Sequence, residues 1–94
     1  MMITMADKKN QNQLYLQNAI DTLNQLATNP STPKNIRKNI QDLANELKAE
    51  EYSMSVRASN AISTLDDITQ DPNMPSYVRV TLWQAVSTLE NIRE

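Results

Sequence analysis

Ala61-Ile-Ser-Thr-Leu-Asp-Asp-Ile-Thr-Gln-Asp-Pro-Asn-Met-Pro-Ser-Tyr-Val-Arg-Val-Thr-Leu-Trp-Gln-Ala-Val-Ser-Thr-Leu89 reads as a helix, a proline-bracketed turn and a second helix. Ala61, Ile62, Leu65 and Ile68 recur at three- and four-residue spacing, as do Val78, Leu82, Ala85, Val86 and Leu89. That spacing lines one face of a helix. Pro72 cannot continue the first helix and pushes Asp71 out of helical geometry.

The stretch is a second copy. A shift of 42 residues lays Ala19, Ile20, Thr22 and Leu23 on Ala61, Ile62, Thr64 and Leu65 without a gap. Pro30 then falls on Pro72, Pro33 on Pro75, Arg37 on Arg79 and Leu47 on Leu89. Two copies of a helical hairpin can bury their apolar faces against each other. The expected fold is therefore all-α, a four-helix bundle built from two repeated hairpins offset by 42 residues.

The helices are expected at about 11–28, 32–48, 55–69 and 74–92, in a single domain spanning 1–94. Hairpin one then covers about 11–48 and hairpin two about 55–92, with residues up to Lys9 poorly ordered. Asn10-Gln11-Asn12-Gln13 reads as a solvated first turn. Ser31 and Asn73 stand two residues before Pro33 and Pro75 and are the expected N-caps, with each proline in the first helical turn. Thr32 is an alternative cap, but its counterpart is Met74, which cannot cap. The segment from Lys48 to Ser55 holds neither Pro nor Gly. One uninterrupted helix from Pro33 to Gln70 would reach roughly 57 Å and imply an intertwined dimer. A break is preferred, because Ser53 and Ser55 are both plausible caps.

Composition excludes much chemistry. The 94 residues contain no Gly, no His and no Cys. Phosphate-cradling loops and dinucleotide fingerprints need glycine for close backbone approach. The commonest general base and the usual zinc ligands are missing as well. An enzyme would have to work with carboxylates, Lys, Tyr, Ser and Thr alone, so the chain is expected not to be one, and no cofactor is expected. A formal net charge of −2 argues against a non-specific nucleic-acid coat. No run approaches the ~18 apolar residues of a membrane span. Without cysteine or a secretion signal, the expected compartment is the cytoplasm.

Two resemblances add to this. The order Asp71, Pro75, Val78-Arg79, Ala85, Leu89 loosely resembles a HEAT-like helical hairpin repeat. The runs Ala61-Ile62-Ser63, Leu65-Asp66, Asp71-Pro72-Asn73-Met74-Pro75, Leu82-Trp83-Gln84 and Leu89-Glu90 are similar to archaeal uncharacterised protein family 0147, a family of small helical proteins. That resemblance implies a helical bundle and an archaeal origin. It brings no activity and no catalytic residue.

Three groups of residues invite a functional reading. Asp66, Asp67 and Asp71 crowd the last turn of the third helix, where acids oppose the helix dipole. They could hold a divalent metal or form an acid–base pair. The commoner explanation is structural, with Asp71 paired to Arg79 and the other two in water. Arg37 and Arg79 each lie one turn into a helix, an unfavourable place for a cation. Each is expected to reach back to the turn or to the preceding helix's last carbonyls. Lys34, Arg37 and Lys38 share a face that could touch RNA, but no aromatic neighbour is there to stack a base.

The third group comes from how the copies differ. Tyr77, Val80 and Trp83 recur every three residues beside the apolar stripe of the fourth helix. Their counterparts are Asn35, Lys38 and Gln41, all polar. Either the three pack against the first helix or the N-terminal segment, or they form an intermolecular face. The second reading makes the chain a non-enzymatic interaction or assembly module, expected to form a homodimer through the fourth helix. The alternatives are an accessory RNA- or ribosome-associated protein and a carboxylate-based metal binder.

Overall fold

The structure, a computed structural model, describes the backbone of residues 5–93 and the side chains of residues 10–93. It contains α1 (Met5–Thr28), α2 (Lys34–Leu47), α3 (Met54–Ile68) and α4 (Ser76–Glu90). No strand occurs among the described residues. Helix α1 packs along α2 and α4, and α3 packs along the same two, while α1 and α3 touch lightly across the diagonal. Short connections between consecutive neighbours make this an up-and-down bundle. No helix is long and apolar enough to cross a membrane.

The core follows the periodic residues. Leu23, Ile40, Leu65, Val78 and Leu82 are completely enclosed, with Ile36, Leu43, Leu47 and Leu89 beside them. All are aliphatic, as a chain with so few aromatic residues requires. Helix α2 ends at Leu47 and α3 starts at Met54, so the uninterrupted helix is excluded. Ser53 caps α3, its Oγ accepting from the Val56 N–H at 3.3 Å.

Four boundaries differ from expectation by two residues or more. Helix α1 starts at Met5 rather than Gln11. Ala6, Lys8, Lys9 and Gln11 are good helix formers, and nothing between them breaks a helix. The expected disorder of residues 1–4 lies outside the described residues, and residues 5–9 belong to α1. Helices α2 and α4 begin two residues later than expected, and α4 ends at Glu90 rather than Ile92.

The caps differ for a physical reason. Pro33 and Pro75 occupy the cap positions themselves, with ψ of 142° and 144°, and no side chain caps either helix. Ser31 and Asn73 are exposed turn residues. The carboxamide of Asn29 and the carboxylate of Asp71 hold the two turns instead, accepting from the N–H of Ser31 and of Asn73, each at 2.9 Å. This is the side-chain-mimics-backbone turn that Asn and Asp favour. The residue before each proline, Thr32 or Met74, is driven into the core.

Thr32 is 1% exposed, and its hydroxyl has no partner. A buried hydroxyl without a hydrogen bond costs about 1–3 kcal/mol. Replacing Thr32 with the isosteric Val should therefore raise stability by about 1 kcal/mol, read as a higher urea midpoint at an unchanged m-value. A lower midpoint would mean that the hydroxyl makes a bond worth keeping.

Candidate functional site

The four arginines of the chain are Arg37, Arg57, Arg79 and Arg93. Three of them stand at the same place in a helix. The N–H of Arg37, Arg57 and Arg79 donates to the carbonyl of Pro33, Ser53 and Pro75, respectively, in the first turn of α2, α3 and α4. From there Arg57 Nη1 reaches back to the Leu47 carbonyl at the end of α2, at 3.0 Å. Arg79 donates from Nε to the Thr69 carbonyl and from Nη2 to the Asp71 carbonyl, both at 3.0 Å. A helix leaves its last carbonyls without internal partners. Here the next helix's arginine supplies them.

The Asp71–Arg79 contact thus takes the form of a main-chain hydrogen bond, and the Asp71 carboxylate is engaged with Asn73. Arg37 is half-buried, with Nε enclosed and unpartnered, while Lys34 and Lys38 are exposed. Sequence reasoning passed over Arg57, because its counterpart at the 42-residue offset is Tyr15. The usable signal was local. Ile36-Arg37, Val56-Arg57 and Val78-Arg79 are each a buried or half-exposed β-branched residue followed by arginine, three and four residues past the end of a loop.

The three aspartates do not converge. Among the described residues no group of three His, Cys, Asp or Glu could hold a metal ion. Asp66 and Asp67 are exposed on α3, while Asp71 is half-buried and turned to its own loop. The metal reading of this cluster therefore has no geometric support. Asp67 does face an open groove with Asp42 and Glu46 of α2, a negative seam between α2 and α3.

Asn12 was read as solvated and is instead 3% exposed. Its Nδ2 donates to the Arg93 carbonyl at 2.9 Å, and its Oδ1 accepts from the Arg93 N–H at 3.3 Å. One side-chain amide thereby fastens Arg93 to the N-terminal half of α1, and the adjacent Ile92 is buried. The counterpart of Asn12 is Met54, also buried, and that apolar partner was the sequence sign of an inward-facing position.

Tyr77, Val80 and Trp83 lie on the solvent side of α4, at 45%, 49% and 53% exposure. Leu14, Tyr52 and Val56 are exposed too, but singly, on α1, on the α2–α3 connection and on α3. Among the described residues, only α4 gathers three such residues on one face. The exposed residues from Ser76 to Ser87 are Ser76, Tyr77, Val80, Trp83, Gln84 and Ser87, and none is charged. The corresponding surface of α2 carries Lys34, Lys38, Asp42 and Glu46.

Residues 2–92 match the family model described as uncharacterised protein family UPF0147. Similar proteins include the UPF0147 protein of Metallosphaera sedula, 42% identical over 83 residues, 88% of this chain and 93% of its own. The UPF0147 protein of Desulfurococcus amylolyticus is 40% identical over 83 residues, 88% of this chain and 91% of its own. The crystal structure of the unknown-function protein MMP1188 superposes with a TM-score of 0.80 at 36% identity, covering 100% of this chain and 99% of that one.

The arginine geometry can be tested on stability. Asp71→Asn keeps an oxygen for the Asn73 N–H, as Asn29 does for Ser31, and should change stability by less than about 0.5 kcal/mol. Arg79→Met should destabilise by about 1.5–3 kcal/mol, because two carbonyls lose a charged donor. A carboxylate–guanidinium pair would show the opposite pattern for Asp71, with Asn as damaging as Ala in chemical denaturation.

Proposed function

We propose that this chain, which belongs to the uncharacterised protein family UPF0147, is a non-enzymatic interaction and assembly module that docks through the solvent side of α4. The observation that carries this reading is the uncharged apolar stripe of Tyr77, Val80 and Trp83, each about half exposed. Trp and Tyr are concentrated in interface hot spots, and contiguous exposed apolar patches on small proteins are commonly functional. The fold does not need these side chains, since α2 carries Asn35, Lys38 and Gln41 at the matching places.

The competing chemistry has less support. The chain lacks His and Cys, and among the described residues no group of three carboxylates could hold a metal ion. Nucleic acid is the weaker partner class. The basic surface of α2 reduces to Lys34 and Lys38, with Asp42 and Glu46 further along the helix and Asp67 across the groove. A phosphate backbone meets little net attraction there.

Replacing Tyr77, Val80 and Trp83 together with the residues of the first copy, Asn, Lys and Gln, tests the reading. Fluorescently labelled wild type should sediment faster when unlabelled protein or native cell extract is added, and the triple variant should not. Far-UV circular dichroism should be the same for both. A triple variant that sediments like the wild type under both conditions would remove α4 as the docking face.

A further inference from the structure

We infer that the partner seated on α4 is a second copy of this chain, related by a two-fold axis that passes beside Val80. This rests on the docking reading above and names its occupant. In a two-fold contact the same patch serves both copies, and a residue on the axis meets its own kind. Charges near such an axis repel, so a self-pairing face must be neutral there. The exposed surface of α4 is neutral from Ser76 to Ser87, with the first exposed charge at Glu90. A face built to steer an unlike partner carries complementary charge instead.

The order of the three residues sets the register. Val80 is the midpoint of a stripe with an aromatic residue three positions to either side. Rotation about an axis at Val80 lays Tyr77 of one copy on Trp83 of the other, twice. Both aromatic pairs form from one operation, and Val80 packs on Val80 between them. Aromatic pairs of this kind add about 0.5–1.5 kcal/mol each beyond their burial. A stripe at three-residue spacing runs along a ridge inclined about 45° to the helix axis. Stacked on its own image, it makes the two α4 helices cross steeply, so the contact stays short.

The area fits a weak pair. Half of one Tyr, one Trp and one Val amounts to roughly 300 Å² per copy. The total of roughly 600 Å² lies below the ~1,200 Å² of stable complexes, so the dimer should dissociate on dilution.

The test is charge complementation at the axis. Val80→Lys and Val80→Glu should each be monomeric at concentrations where the wild type dimerises, because like charges then face each other. Both should fold, since Val80 is half exposed and its counterpart is already Lys38. Mixed in equal amounts, the two variants should recover the dimer mass in sedimentation equilibrium, as Lys meets Glu. A mixture that stays monomeric, or a single variant that keeps the wild-type dimer, overturns the axis. A wild type that is monomeric at every concentration overturns self-pairing. In that case, loss of the cell-extract complex in the triple variant would still uphold α4 as a docking face.

Discussion

Every helix in this chain must end without a glycine. The usual device, a left-handed residue just past the last turn, is almost always glycine because a Cβ opposes that conformation. Among the described residues none has positive φ, and the C-cap residues Lys48, Thr69 and Asn91 remain in right-handed geometry. Tightened backbone turns close part of the last carbonyls, as from Lys48 N–H to Asn45 and from Asp71 N–H to Ile68, and side chains close others. Thr28 and Thr69 turn their hydroxyls back onto the Gln25 and Asp66 carbonyls in the last turns of α1 and α3. Arg57 and Arg79 reach back from the following helix. A guanidinium at the start of a helix opposes that helix's dipole, yet here it lies against the negative end of the previous one. The same bond joins two elements and fixes the connection between them.

This use of charge shapes the surface. Arg37, Arg57 and Arg79 are drawn at least partly inward and contribute little to an outer field. What remains outside is dominated by amides and hydroxyls, with acids along the α2–α3 seam. Against that polar surface, the stripe on α4 stands out by chemistry. It lies on the helix whose entry is held by the doubly bonded Arg79, so the docking face is carried on a well-anchored element. The Asn12 amide fastens the end of the chain just beyond the same helix.

The bundle was legible because a helix with one apolar face repeats at 3.6 residues, and four such runs separated by turns leave little choice of architecture. Ser53 could be read as a cap from its chemistry alone. The proline-turn caps could not. Placing Pro33 and Pro75 inside the first helical turn made Ser31 and Asn73 look like caps, whereas extended ψ puts the prolines one residue earlier in the geometry. Asn12 was missed because a polar residue among polar neighbours looks solvated, and its partner is main chain 81 residues away. Periodicity describes which face is buried, and it is silent on a polar group that is buried to make a long-range bond. Arg57 was missed because comparison of the two copies cannot report a device at the junction between them.

The central claim is that α3 and α4 each close the helix before them through arginine. Side-chain hydrogen exchange of the Arg79 Nε–H, observed by nitrogen-15 NMR, tests this most directly. A bond of at least about 1.4 kcal/mol to the Thr69 carbonyl should slow that exchange by about tenfold or more relative to the exposed Arg93. Equal exchange at Arg79 and Arg93 would mean that the α3 carbonyls are not held by arginine.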